Sequence, residues 1–374
     1  MMLACLEAMS KIESSDVTLY CSLCRALGTY SLRVKKYSDA IKVCEQGIAF
    51  ATNQQGNRTR HLVDILARAH LANGTKPSSI VSSVVQGWEA SIVACVAVLD
   101  SANNDNNLMK LEARRALLER CVETSEVAFE KDRGNVDDLC LDEIQSRDAF
   151  HTYLWAQLAE QAVHLELYRL AQKCTKHTIS ILPDSQRDRD LMSSETLCSL
   201  VVAETIWGEA MFSMAKDATV QEALFEDAST HFVIASDWAS KAGDAELVIT
   251  LVQRFWTCFK PMTHTTKTKA MMFDPCRRLL NVTNTVVRNK NKNVSKLRLC
   301  LYHLILDILK ERKEWKRGLD TCVEACKYVL CCLFTSFFFT LRKIHTHTYT
   351  HTHTHTDTCQ AQCNEQSGKF ESCS

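Results

Sequence analysis

The sequence predicts an all-α fold: short helices stacked in antiparallel pairs, forming a helical-hairpin solenoid with a disordered C-terminal tail. Three observations carry that prediction. Apolar residues recur at spacings of three and four along most of the chain, the period that lays a stripe on one helix face. Gly and Pro number only 10 and 4 among 374 residues, far below ordinary usage, which argues against turn-rich β folds and Pro-rich linkers. Several helix pairs fit, one by one, the 34-residue pattern of a stacked repeat. Hydrophobic residues make up 46% of the chain, enough for a core, so the chain as a whole is not disordered.

The elements follow in order. In Asp16–Ser31 the stripe is Leu19, Leu23, Ala26 and Leu27, and in Tyr37–Thr52 it is Ala40, Ile41, Cys44, Ile48 and Phe50. Short polar breaks separate the helices at 53–60, 73–77, 102–107, 131–138 and 183–190. Ser193 or Ser194 can cap the helix through Leu200 and Ile206. Lys241-Ala242-Gly243-Asp244 reads as a stop followed by a new cap, and Asp274-Pro275 as a capping Asp before a Pro at the first helical position. No alternating strand or Asn-Gly hairpin is apparent. The chain divides into helical repeats over 1–190, degenerate helical repeats over 191–330, and a low-complexity tail over 331–374.

A unit starting at residue 152 places Trp155, Leu158, Ala159, Ala171, Thr178 and Pro183 at positions 4, 7, 8, 20, 27 and 32 of the 34-residue tetratricopeptide pattern. A unit starting at 21 places Leu27 and Gly28 at 7 and 8, Tyr37 at 17, Ala40 at 20 and Gly47 at 27. The small residues let two helices approach closely, and Pro ends the second helix. A third unit, from 299, has Gly318 at 20 and Ala325 at 27, but Leu306 at position 8 is too large for the pattern.

Candidate chemistry is sparse. The chain has no Gly-rich phosphate loop, no GxSxG and no HExxH, so no enzymatic constellation and no cofactor site is predicted. His61, His70, His151 and His164 stand singly on helices and read as structural. Most of the 19 cysteines, among them Cys44, Cys95, Cys198 and Cys300, fall in apolar helical patterns and read as reduced thiols in a core. The pair Cys21 and Cys24 has no second pair at zinc spacing. No signal peptide is read at the N-terminus. The uncharged run 328–341 is too short to cross a bilayer, so no membrane partner is expected.

Lys+Arg and Asp+Glu are both 44, which argues against a nucleic-acid binder. Yet Arg254 to Arg317 holds sixteen basic and four acidic residues. Arg288, Lys290, Lys292, Lys296 and Arg298 within it form a candidate basic docking surface for an acidic partner. The alternative is a solvated interhelical loop. In the tail, alternating His and Thr over 345–356 read as a translated dinucleotide repeat rather than a metal-binding tract.

The runs Phe150–Ala162 (FHTYLWAQLAEQA) and Lys310–Leu319 (KERKEWKRGL) resemble the large tetratricopeptide-repeat proteins of the motile-cilium central apparatus. The resemblance covers roughly residues 1–330, and such proteins are much longer. It implies a non-enzymatic scaffold of the ciliary or flagellar axoneme, serving central-apparatus assembly and motility, with other axonemal and microtubule-associated proteins as partners. A generic cytosolic adaptor for trafficking or chaperone partners, or a helical RNA-binding module, are the competing expectations.

Overall fold

The computed structural model describes residues 17–53, 59–75, 87–104, 109–132, 141–182, 192–215, 217–287 and 292–328. These residues are all-α, with no strand among them. The expectations for Pro183, Arg288, Lys290, the N-terminal residues and the tail lie outside the described residues.

The chain divides into two compact units at Gly243–Asp244. The sequence placed a change at 190, where the repeat pattern fades, but helix packing carries the first unit two helices further. That unit contains α1 (Val17–Arg33), α2 (Tyr37–Asn53), α3 (Arg60–Ala72), α4 (Gly87–Asn104), α5 (Leu111–Asp132), α6 (Leu141–His164), α7 (Tyr168–Ser180), α8 (Ser194–Met214) and α9 (Ala218–Ala242). Each helix packs on the next from α1 through α9, and α1 also packs on α3, α4 on α6, and α6 on α8. α8 is apolar around most of its circumference because α6, α7 and α9 all pack on it.

The second unit contains α10 (Ala245–Phe259), a 3-10 turn (Lys260–His264), α11 (Thr266–Met271), α12 (Phe273–Val286), α13 (Lys292–Glu311) and α14 (Trp315–Tyr328). α10 packs on α12 and α13, α12 on α13, and α13 on α14.

One turn recurs. Among the described residues, Lys35, Glu166 and Lys313 are the non-glycine residues with positive φ, at 59°, 59° and 58°. Each is the fifteenth residue of a unit counted from 21, 152 or 299. Their hydrogen bonds are the same. Lys35 N–H donates to Leu32 O and Lys36 N–H to Ser31 O; Glu166 to Val163 O and Leu167 to Ala162 O; Lys313 to Lys310 O and Glu314 to Leu309 O, all between 2.8 and 3.1 Å. This is a Schellman stop, in which a left-handed residue lets two otherwise orphaned carbonyls be satisfied. The carbonyl of the next residue then accepts the first bond of the following helix, as Lys36 O does from Ala40 N–H and Leu167 O from Ala171 N–H. Gly74 closes α3 in the same way.

Other caps match the sequence reading. Ser193 Oγ accepts from Thr196 N–H, and Asp244 accepts from the Glu246 and Leu247 N–H groups. Gly243, at φ 68°, stops α9. Asp274 departs from its expected place. The chain is already helical at Met272, so α12 begins at Phe273 and Asp274 lies in the first turn. There its charge complements the helix dipole instead of capping it.

Candidate functional site

The predicted packing residues lie at helix contacts. Ala40, Trp155, Leu158, Ala159 and Ala171 are 0% exposed, while Leu27 and Tyr37 are half-buried. A Cβ on Gly28 would stand 2.8 Å from Cys44 Sγ and 3.2 Å from Ile65 Cγ2, and one on Gly47 would stand 2.8 Å from Leu62 Cδ1 and 2.9 Å from Cys24 Cβ. Three helices therefore meet at distances only glycine permits. At Gly318 an added Cβ would meet nothing within 4 Å. The larger Leu306, itself buried, is consistent with a wider seam in that hairpin.

The proposed basic surface is changed by the structure. Lys296 is exposed, but Arg298 is 1% exposed. The sequence carried a signal for this: Val294, Arg298, Leu301 and Ile305 share the apolar stripe of α13. The Arg298 guanidinium donates to Thr283 O at 3.0 Å and to Val287 O at the end of α12, and lies 5.6 Å from the Tyr328 ring at the end of α14. Burial holds its pKa below the ordinary arginine range. A cation placed on helix C-terminal carbonyls is a fastening device, so Arg298 belongs to the interior and not to a docking face. Lys292 falls in the first turn of α13.

A polar seam inside the first unit has no counterpart in the sequence reading. Arg68 of α3 donates from Nε to Asp64 at 3.2 Å, and from its terminal nitrogens to Asp100 at 2.9 Å, Tyr153 Oη at 3.2 Å and Gln157 Oε1 at 2.8 Å. Tyr153 donates to Asp64 at 2.6 Å, and Gln161 donates to Asp100 at 2.7 Å. The seam continues through Asn103 to Arg114, which donates to Met109 O at 3.0 Å. Four helices, α3 to α6, are thus joined by one hydrogen-bonded chain. Burial opposes the Arg68 charge, but Asp64 and Asp100 outweigh it and raise the pKa. Burial pushes the Tyr153 hydroxyl and the Asp100 carboxyl up, Arg68 partly offsetting both.

A second cluster surrounds Trp155. His151 Nε2 is 2.7 Å from Glu89 Oε1, which also lies 3.4 Å from Arg60. His177 stacks on Trp155 at 4.5 Å and meets Glu126 at 3.1 Å. Arg25 and His61 converge on Glu195, tying α1 and α3 to the start of α8. Burial raises the Glu195 pKa, but His61 and Arg25 prevail and hold it below the usual carboxylate range. His70 lies 2.9 Å from Thr75 Oγ1, and His164 is exposed.

Cys44 and Cys95 are buried, but Cys198 and Cys300 are only partly so. Cys21 and Cys24 are buried within α1, and burial pushes the Cys24 thiol up to about 12. No group of three or more His, Cys, Asp and Glu among the described residues could hold a metal ion.

Two concavities among the described residues bear on this. One, of about 230 Å³, has Phe129, Ile144, Arg147, His151 and Ile181 in its walls. The other, of about 810 Å³, is an open trough between α12 and α14, floored by Ile305 and Leu309 of α13 and walled by Arg277, Arg278, Asp320 and Glu324. Neither brings a nucleophile and a base together in the manner of an active site. The arrangement is that of packed helices with polar fastenings. In comparisons with known proteins, no family model matches this chain, and no curated protein matches it.

Proposed function

We propose that this chain is a non-enzymatic helical-hairpin repeat scaffold that binds protein partners in the motile-cilium axoneme. The observation that carries the repeat reading is the recurrent stop: the same left-handed residue, with the same pair of hydrogen bonds, at the fifteenth position of three 34-residue units. The glycine and alanine seams of α1–α3 and α6–α7 support it, because close approach at fixed positions is what stacking of repeats requires. Stacked hairpins present long helical surfaces, and proteins of this kind act by docking. The ciliary assignment rests on the resemblance of Phe150–Ala162 and Lys310–Leu319 to central-apparatus repeat proteins. Expression of the tagged chain in ciliated cells tests it: enrichment along the axoneme is expected, and a diffuse cytoplasmic signal overturns the ciliary part. Affinity capture from axonemal extract tests the scaffold part, with specific co-purifying proteins expected.

A further inference from the structure

We propose that the outer face of α1 is a docking surface for an acid-flanked amphipathic helix of a partner protein. The proposal deepens the scaffold reading and rests on it. α1 has two faces. Tyr20, Cys21, Cys24, Gly28 and Ser31 are buried toward the rest of the unit. On the other side Leu19, Tyr30 and Val34 are 56%, 53% and 42% exposed. Ala26 is exposed between them and Leu23 half-buried. Residues 19, 23, 26 and 30 follow the alternating four-and-three spacing of a coiled-coil seam, and Val34 prolongs it by one turn. The other large exposed apolar side chains among the described residues are spread over α5, α9 and α14. A contiguous apolar stripe on a folded surface marks an interaction site far more often than a scattered set does.

Charge selects the occupant. Apart from Arg25, which pairs with Glu195, the charges of α1 and the turn after it are Arg33, Lys35 and Lys36, with no acidic residue. Lys35 and Lys36 are exposed at the same end as Val34. A second copy pairing α1 on α1 would bring only more positive charge to the seam. A helix with an apolar heptad stripe and Glu or Asp on its flanks matches both features, the helix-on-helix mode of recognition with charges that set partner choice.

The test uses the full chain and two synthetic 21-residue helical peptides with Leu at the two seam positions of each heptad. One peptide carries Glu at all flanking positions and the other carries Lys. Like-charged flanks keep each peptide from pairing with itself. By fluorescence anisotropy at low salt, the Glu peptide is expected to bind about ten-fold or more tighter than the Lys peptide. The double variant Leu19→Ser/Tyr30→Ser alters only exposed side chains, so its circular dichroism should be unchanged, and it should weaken binding about ten-fold. Equal binding of the two peptides, no binding, binding retained by the double variant, or a dimer in sedimentation that this variant dissolves would each overturn the proposal. Specific capture of axonemal proteins by a chain that ignores the Glu peptide would remove the α1 site and leave the scaffold reading standing.

Discussion

Arg68 and Arg298 are both interior arginines, and they are held in opposite ways. Arg68 faces two carboxylates, a phenol and an amide, and its charge is reinforced. Arg298 faces backbone carbonyls at helix ends and an aromatic ring, and burial lowers its pKa with no carboxylate to offset it. The first joins side chains from helices far apart in sequence. The second fastens the ends of neighbouring helices. An arginine between helices is therefore not one kind of feature. Its cost and its value depend on whether the groups left behind by its removal would be charged.

That contrast sets the largest expected effect. Arg68→Met strands Asp64, whose side chain is only 2% exposed, beside Asp100 without a cation. Breaking a buried pair from one side costs about 3–5 kcal/mol, which urea denaturation of the variant would measure. Adding Asp64→Asn and Asp100→Asn should recover a large part of the loss, because the stranded charge is then gone. Without recovery, the seam is held by shape and not by charge.

Arg298→Met should cost less, about 1–3 kcal/mol, since it takes a donor from the neutral carbonyl of Val287 while Thr283 O keeps the Val287 N–H, and no bare charge is left. Arg298→Lys should recover only part of this, because one ammonium cannot reproduce the fork in which one terminal nitrogen donates to Thr283 O and Val287 O and the other reaches Tyr328 O at 3.5 Å. If Arg68→Met and Arg298→Met cost the same, the distinction between the two fastenings fails.

Residues differ in how far the sequence exposes these arrangements. Helix spans, the Ser193 and Asp244 caps and the Gly243 stop follow from local spacing and cap chemistry, and the sequence shows them. The recurrent turn is not legible there, because Lys35, Glu166 and Lys313 are not the Gly or Asn that mark a left-handed stop. Arg298 was misread by counting charge over a segment, although its place on the α13 stripe was visible. The Arg68 seam was not visible. Asp64 and Arg68 look like an ordinary exposed i,i+4 pair, and nothing along the chain links them to Tyr153 and Gln157, 85 to 89 residues away. Such pairings are set by tertiary packing, which no local period reports.

The glycines give a third comparison, this time one of sign. Gly47→Ala forces a Cβ against Leu62 and Cys24 and should destabilise by about 1–3 kcal/mol. Gly318→Ala adds a methyl where nothing lies within 4 Å, in a helical backbone, and should stabilise by about 0.5–1 kcal/mol. Both substitutions gain the same helix propensity, so the difference isolates seam width. Equal thermal shifts of the same sign would mean the α13–α14 seam is as tight as that of α1–α3.

The smallest effect tests what the hairpins share. Lys35, Glu166 and Lys313 hold a conformation that costs an L-residue roughly 1 kcal/mol or more. Replacing each in turn by Gly removes that cost but raises the entropy of the unfolded chain, leaving a net gain of about 0.5 kcal/mol in each case. The expected result is three small stabilisations of one sign, read as shifts in the urea midpoint with unchanged slope. Arg115 makes Glu166 the most demanding case. It donates to Leu165 O at 3.0 Å and approaches the Glu166 carboxylate at 3.7 Å, so Glu166→Gly loses a weak, exposed ion pair while keeping the backbone contact. A gain at Lys35 and Lys313 with none at Glu166 would assign that ion pair about the same worth as the net gain seen at the other two. A loss at any of the three would mean that the turn there is held by its side chain and is not the common stop that a repeat requires.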